Sequence, residues 1–190
     1  MNLLSQIKED LSQHGSKAGK ATVQRFIPDV DISRVYGVRM PVINDLAKRY
    51  KDGGFKLVKQ LWNAESFEEH MLACRILIYI AKSEPEESLI LVKRFAKGIS
   101  DWAICDCLGA QSLKRIHKPH QEQIFQLSST LVNSKRMWER RLALVLLVNY
   151  SKDAAMRSRI KRVMGHIDAN DHYYVKKAIA WLNRNFEKHG

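Results

Sequence analysis

Cysteine is scarce in this chain of 190 residues, and its three copies, Cys74, Cys105 and Cys107, form no CxxC pair. An odd count without such a pair excludes a disulfide framework and a cysteine-based zinc site, and it indicates a reducing compartment. Lys8 and the two acidic residues after it interrupt the apolar pattern of the amino-terminal segment, so no signal peptide is recognisable. The longest apolar run, residues 142–148, is too short to span a bilayer. We therefore expect a cytoplasmic protein with no membrane partner.

Acidic residues are few relative to basic ones, because 20 Asp and Glu stand against 32 Lys and Arg. The net charge is +12 and the isoelectric point is about 9.7. Such an excess contributes nothing to folding, but it attracts polyanions. Nucleic acid is the partner that this charge favours first, while an anionic membrane surface or an ordinary basic protein remains an alternative.

Motifs for common cofactors are also missing, and no glycine-rich phosphate loop occurs. His117 and His120 have ligand-like spacing, but they flank a proline and lack a partner carboxylate, so we expect no metal site. Cys105 and Cys107 are expected to pack inside a helix rather than to act as nucleophiles. The sequence therefore predicts a protein without a metal ion or cofactor.

A β-strand pattern is absent as well, whereas apolar residues recur with helical periodicity almost throughout. Trp62, Trp102, Trp138 and Trp181 follow one another at intervals of 40, 36 and 43 residues. Intervals of this size are typical of stacked helical hairpins. We predict an all-α fold in a single domain, residues 1–190, with an irregular helical bundle as the alternative.

A finer register supports repetition. Ala73, Leu108, Ala143 and Ala178 are each 35 residues apart, and each lies in an apolar stripe of its predicted helix. In the same frame, Asp106 and Arg141 occupy equivalent places in successive repeats. Small residues at recurrent positions allow helices to approach closely, so each hairpin is expected to bury its apolar face against its neighbours.

The last predicted helix has two stripes on different sides. One stripe is apolar and consists of Val175, Ala178, Ile179, Leu182 and Phe186. The other combines rings and cations and consists of Tyr174, Lys177, Trp181, Arg184 and Lys188. The second stripe is not suited to a protein core, but it is suited to binding DNA, because cations contact phosphates and rings lie against sugars or bases. The alternative is that Trp181 packs on a neighbouring repeat.

Two further helices carry candidate site residues. On the helix that begins near Trp102, Asp106 is a lone carboxylate in basic surroundings, and Gly109 would let a ligand approach it. Asp106 either pairs with Arg141 as an ordinary salt bridge or stabilises positive charge that forms in a reaction. Arg140 and Arg141 lie at the start of the helix of Trp138, where we expect the rim of a groove. The alternative interpretation is that they form an ordinary solvated basic turn.

Five stretches, which together cover most of the chain in order, carry a resemblance to a known family. They are residues 36–41 (YGVRMP), 66–73 (SFEEHMLA), 100–106 (SDWAICD), 138–143 (WERRLA) and 175–184 (VKKAIAWLNR). They resemble the AlkD-type alkylpurine DNA glycosylases, which are built from HEAT-like repeats. The resemblance implies a right-handed superhelical α-solenoid of antiparallel hairpins with a concave basic groove.

The resemblance also implies an activity: excision of cationic N3- or N7-alkylated purines from duplex DNA in base excision repair, by a monomer that associates with the nucleoid. Trp102 and Trp181 would match the rings beside the lesion, and Asp106 would match the catalytic carboxylate. Arg141 and Arg184 would match the arginines that grip the DNA backbone. The wider set expected to bind DNA consists of Arg140, Trp138, Arg39, Lys177, Tyr174 and Lys188.

Two departures from the family leave other functions open. Phe26, expected beside the lesion, lies where the family often has a tyrosine, and the chain ends at Gly190, where the family usually continues for another helical hairpin. A protein that binds damaged or branched DNA without catalysis is therefore the second hypothesis. A scaffold that binds proteins, as many helical solenoids do, is the third.

Overall fold

The computed structural model describes residues 2–189, and no β-strand occurs among them. The chain divides into two compact units between Glu84 and Pro85. Helices α1–α5 belong to the first unit: Leu3–His14, Lys17–Phe26, Met40–Tyr50, Gly54–Trp62 and Phe67–Ile80. Helices α6–α11 belong to the second: Pro85–Phe95, Trp102–Asp106, Gln121–Leu131, Met137–Val145, Arg157–Met164 and Tyr173–His189. The prediction of an all-α fold is confirmed.

Short polar caps fix where several helices begin. The Ser66 hydroxyl accepts the Glu69 backbone N–H, and the Glu69 carboxylate accepts the Ser66 N–H, which closes a capping box at the start of α5. The Asp101 carboxylate accepts two backbone N–H groups at the start of α7. Each cap satisfies donors that a helix leaves unpaired and contributes about 1 kcal/mol.

In the first unit, α5 packs against α3 and α4. The side chain of Glu68 is buried, and its carboxylate accepts the backbone N–H groups of Tyr36, Gly37 and Val38 at 2.7 to 3.1 Å. Gly37 has a φ of +82°, and a Cβ there would lie 2.3 Å from the Ser16 carbonyl oxygen, so only glycine fits. These contacts set the path of the chain immediately before α3.

In the second unit, α9 is the central helix and packs against α7, α8 and α11. Its residues from Arg141 to Val145 are all buried. The Ser128 hydroxyl on α8 donates a hydrogen bond of 2.7 Å to the Ala143 carbonyl, which satisfies a buried polar group between the two helices. This central position brings the amino-terminal half of α9 beside both α7 and the start of α11.

The 35-residue register is confirmed as an internal stripe. Ala73, Leu108, Ala143 and Ala178 are all at most 1% exposed. Polar contacts between helices span similar separations: Arg141 to Asp106 is 35 residues, and Asn185 to Ser151 is 34. Within the second unit, equivalent places in successive hairpins are therefore neighbours, as stacking requires. The right-handed superhelix, the concave basic groove and the single domain stay predictions.

Candidate active site

Asp106 is the last residue of α7, and the helix changes character directly after it. Residues Cys107–Gln111 form a π-helical segment, in which the Ser112 N–H bonds to the Cys107 carbonyl five residues earlier. Single π turns inside helices are frequent at functional sites, because they displace side chains from the regular register. Asp106 therefore lies at the junction between two helical geometries.

The expectation that Gly109 opens space beside Asp106 is wrong. Gly109 is buried, and a Cβ at this position would lie 2.7 Å from Val145 Cγ1 and 3.0 Å from Leu142 Cδ1. The π turn rotates Gly109 away from the side that α-helical spacing assigns to it. The glycine allows α9 to pack closely, and it gives no ligand access to Asp106.

Asp106 and Arg141 form a close ion pair. The Arg141 Nη2 donates to both carboxylate oxygens at 2.8 and 2.9 Å, and Nε donates to Oδ1 at 3.1 Å. The remaining nitrogen, Nη1, donates to the Tyr174 carbonyl at 2.5 Å. Arg141 is 5% exposed, while the Asp106 side chain is 21% exposed. The buried guanidinium thus has all three nitrogens engaged and holds the carboxylate, and the predicted contact of Arg141 with the DNA backbone stays a prediction.

Burial raises the pKa of Asp106 to about 6, against the opposing charge and hydrogen bonds of Arg141. The nearby carboxylate of Asp101 raises this pKa further. Removal from water penalises the charged form of an acid, whereas an adjacent guanidinium favours it. Asp106 is therefore a carboxylate that is ionised at neutral pH but lies near its titration point, as catalytic carboxyl groups frequently do.

Arg140 forms a second pair that the sequence did not indicate. Its Nε and Nη2 each donate to one oxygen of Asp171 at 2.7 Å, and Nη1 donates to the Ser134 carbonyl at 2.8 Å. The hydrogen bonds from Arg140 lower the pKa of Asp171. Its donors are thus engaged by the loop before α11 and by the loop before α9, and the expected contact of Arg140 with DNA stays a prediction. No sequence signal marked Asp171 as a partner of Arg140.

Trp138 lies on α9 just before the two arginines. Trp138 stacks on Tyr174 with 5.1 Å between ring centroids and an angle of 29°. Trp102, Trp138 and Trp181 are all half-buried, whereas Trp62 is only 8% exposed. Three of the four tryptophans thus keep part of their surface in reach of a partner.

The two stripes predicted on the last helix are confirmed on α11. Val175, Ala178, Leu182 and Phe186 are buried, and Ile179 is half-buried. On the other side, Lys177, Arg184 and Lys188 are exposed, while Tyr174 and Trp181 are half-buried. Arg184 has no ion pair within residues 2–189. The exposed cations of α11 are therefore available to an anionic ligand.

Phe26 and Arg39 belong to the first unit. Phe26 is 60% exposed at the end of α2, and the Arg25 guanidinium lies 5.9 Å from its ring centroid. Arg39 is exposed at the position before α3. Their proposed contacts with DNA stay predictions.

Other reactive groups do not form a site. Cys74, Cys105 and Cys107 are buried, and burial raises the pKa of the Cys105 thiol well above its ordinary value, which disfavours the nucleophilic thiolate. Within the described residues, no three His, Cys, Asp or Glu side chains cluster closely enough to hold a metal ion. None of the helices in residues 2–189 combines the length and the apolar character needed to cross a membrane.

Comparison with known proteins assigns the family. A solved structure described as a predicted DNA alkylation repair enzyme from Enterococcus faecalis has the same fold, with a TM-score of 0.75 over 93% of this chain and 84% of that chain. The two sequences are 13% identical, so this likeness concerns the fold alone. A comparison with curated protein sequences gives no match. The family model of DNA alkylation repair enzymes matches residues 7–190, and the chain belongs to this family.

Proposed function

We propose that this protein is a DNA glycosylase that removes cationic N3- or N7-alkylated purines from duplex DNA, with Asp106 as the catalytic carboxylate. The observation that carries the proposal is the placement of Asp106: buried enough to raise its pKa, held by Arg141, and still 21% exposed. The family assignment supports a role in alkylation repair.

The chemistry suits a carboxylate that acts without a metal ion. An alkylated purine carries a positive charge, so it leaves readily when the bond from C1′ to the base nitrogen breaks and the electron pair passes to the base. The sugar becomes an oxocarbenium-like cation, which a fixed negative charge stabilises most strongly in a site shielded from water. Water then adds to C1′ and gives up a proton, for which Asp106 is an acceptor.

Arg141 acts in this scheme as a positioning residue. Its three hydrogen bonds to Asp106, from Nε and Nη2, fix the orientation of the carboxylate, and its charge favours the ionised form that the reaction requires. Its bond to the Tyr174 carbonyl ties α9 to the start of α11. Arg141 therefore fixes the position of the Asp106 carboxylate relative to α11, so less reorganisation is needed during the reaction.

Binding is assigned to the half-buried rings and exposed cations. The faces of Trp102 and Trp181 favour a cationic base by cation–π attraction, worth about 0.5 to 2 kcal/mol at each ring. Arg184, Lys177 and Lys188 supply positive charge to the phosphates. Phosphate contacts position the duplex, so these cations are expected to determine affinity rather than the rate of bond breaking.

The test is release of 7-methylguanine from a short duplex under single-turnover conditions. Asp106→Asn is expected to lower the rate by about a hundredfold or more, the loss typical when a preorganised electrostatic group is removed. Glu187→Gln is the matched control, because it raises the net charge by the same amount at an exposed position of α11. It should stay within about twofold of wild type, since Glu187 lies outside the ion pairs that hold the carboxylate. Equal release by wild type and Asp106→Asn would reject the proposal.

A second candidate is a protein that binds distorted DNA without excision. The full engagement of both Asp106 oxygens by Arg141 favours it, since such a pair is also complete as a structural salt bridge. This candidate requires salt-dependent binding of unmodified and alkylated duplexes alike, with no base released. Release that depends on Asp106 would rule it out.

A further inference from the structure

A cluster of four rings lies at the start of α11, next to the Asp106 site. It consists of Trp138, His172, Tyr173 and Tyr174, and we call it the four-ring cluster. Trp138 and His172 lie nearly parallel to Tyr174, at centroid distances of 5.1 and 5.8 Å, and Tyr173 meets Tyr174 edge-on at 5.3 Å. The rings hold one another in fixed orientations, as offset and edge-to-face aromatic pairs do.

Tyr173 is the open member of the cluster. It is 58% exposed, whereas Tyr174 and Trp138 are half-buried. The core side of α11 is already filled by Val175, Ala178 and Leu182, so packing does not explain an aromatic ring on the opposite side. A large ring that is held rigidly and left in water is a feature of binding surfaces rather than of cores.

The charges around Tyr173 select the ligand. The Lys177 ammonium lies 5.2 Å from the Tyr173 ring centroid, one helical turn away, and Lys176 is also exposed. Asp171, the nearest acidic residue in the sequence, is occupied by Arg140. A planar ring beside free ammonium groups suits a nucleobase with its phosphate, because the base stacks and the cation meets the anion.

The connection to Asp106 is short. The Tyr174 carbonyl accepts a hydrogen bond from Arg141, and the same guanidinium holds Asp106. A single side chain therefore separates the four-ring cluster from the carboxylate. We propose that Tyr173 and the four-ring cluster form a stacking site for an unpaired nucleobase of a distorted duplex. This inference rests on the DNA-binding part of the proposed function and does not require excision.

The experiment compares two labelled duplexes of the same sequence, one fully paired and one with a single unpaired adenine, and neither contains an alkylated base. Affinity is measured by fluorescence anisotropy. Wild type is expected to bind the duplex with the unpaired base roughly tenfold more tightly, the scale of one base–aromatic stack. Tyr173→Ala should lose this preference and bind both duplexes with the affinity that wild type has for the paired one.

Two variants separate stacking from other losses. Tyr173→Phe keeps the ring and should keep the preference. Ile90→Ala removes an exposed apolar side chain of similar exposure, 60%, from α6, and should also keep it. As a second readout, 2-aminopurine at the unpaired position should be quenched when it is bound to wild type and to Tyr173→Phe, but not when it is bound to Tyr173→Ala.

The outcomes distinguish this site from the proposed function. Equal binding of the two duplexes by wild type, or a preference and quenching that survive in Tyr173→Ala, would overturn the stacking site alone. Failure to bind either duplex would overturn the DNA-binding part of the proposed function together with it. If wild type prefers the duplex with the unpaired base but releases no 7-methylguanine in the excision assay, the glycosylase proposal is overturned and the stacking site is not.

Discussion

Arg140 and Arg141 are consecutive residues of α9, and each holds an aspartate through several hydrogen bonds, yet the two aspartates differ in electrostatic state. The pKa of Asp171 is lowered, because the hydrogen bonds from Arg140 outweigh burial. The pKa of Asp106 is raised to about 6, because burial outweighs Arg141. The depth of the two pairs differs at the guanidinium, because the Arg141 side chain is 6% exposed and that of Arg140 is 20% exposed, while the Asp171 side chain is 4% exposed and that of Asp106 is 21% exposed. Adjacent arginines on one helix therefore hold two carboxylates whose pKa values are shifted in opposite directions.

The largest effect that would test this comparison is on stability. Arg141→Met leaves the buried Asp106 carboxyl without its partner, so the free energy of unfolding is expected to fall by about 3 kcal/mol. Arg140→Met breaks a shallower pair and should cost about 1 kcal/mol or less. Urea unfolding of the two variants measures both values. A larger loss for Arg140→Met would show that the order of depth is wrong.

The next largest effect is on the close packing of Gly109 against α9. Gly109→Ala forces its Cβ against Val145 and Leu142, and overpacking of this kind costs about 1 to 3 kcal/mol. Because both contacted residues lie on α9 shortly after Arg141, excision is expected to fall as well. Gly165→Ala is the control, since its Cβ would meet only carbonyl oxygens at 3.4 and 3.5 Å and should be tolerated. An unchanged unfolding midpoint for Gly109→Ala would contradict the close approach.

The carboxylate of Asp106 must be ionised for the proposed reaction, so the rate of base release should depend on pH. Release is expected to be constant above a pH of about 6 and to fall roughly tenfold for each pH unit below it. Asp171 should impose no such dependence, because its pKa lies below the ordinary value of 3.8. Single-turnover rates across this range provide the measurement. A flat profile down to pH 5 would exclude a role for Asp106 ionisation.

The smallest effect is a change of stability with pH that has opposite sign for the two aspartates. A folded-state pKa above the unfolded value means that protonation favours folding, so wild type should gain about 1 kcal/mol relative to Asp106→Asn between pH 7 and pH 5. The lowered pKa of Asp171 gives stability that is present above the ordinary value and lost only as the pH falls through the lowered one. Relative to Asp171→Asn, wild type should therefore show no gain over the same range. Parallel behaviour of the two variants in urea titrations would remove the distinction.

The sequence predicted the helices and the internal stripes well, because periodicity and caps are local. Ser66 with Glu69, and Asp101 before Trp102, are residue types that favour helix starts, and helices begin directly after Ser66 and Asp101. Asp106 was recognised as a candidate, and a pair with Arg141 was one of its two expected roles. The π turn was not predictable from spacing, because every residue after Asp106 was placed as if the helix were regular. Gly109 was misplaced for this reason.

The burial of Arg141 and the partner of Arg140 were also beyond the sequence. A 35-residue register indicates which residues are neighbours in successive hairpins, but not which of two adjacent arginines faces inward. That choice depends on how α7 and α11 flank the first turn of α9. Nothing in the local sequence links Asp171 to Arg140, so their pairing became visible only from the packed structure.

The spacing of polar contacts has a consequence for how the chain acquires its structure. Bonds that join one hairpin to the next span 39 residues from Arg49 to Asp10, 32 from Tyr36 to Glu68 and 35 from Arg141 to Asp106. Each of these three hydrogen bonds can form once the next hairpin has been synthesised, and none of them requires the C-terminal residues. Folding of each unit during synthesis is thus expected to advance in steps of one hairpin, with Asp106 gaining its guanidinium partner only after α9 has emerged.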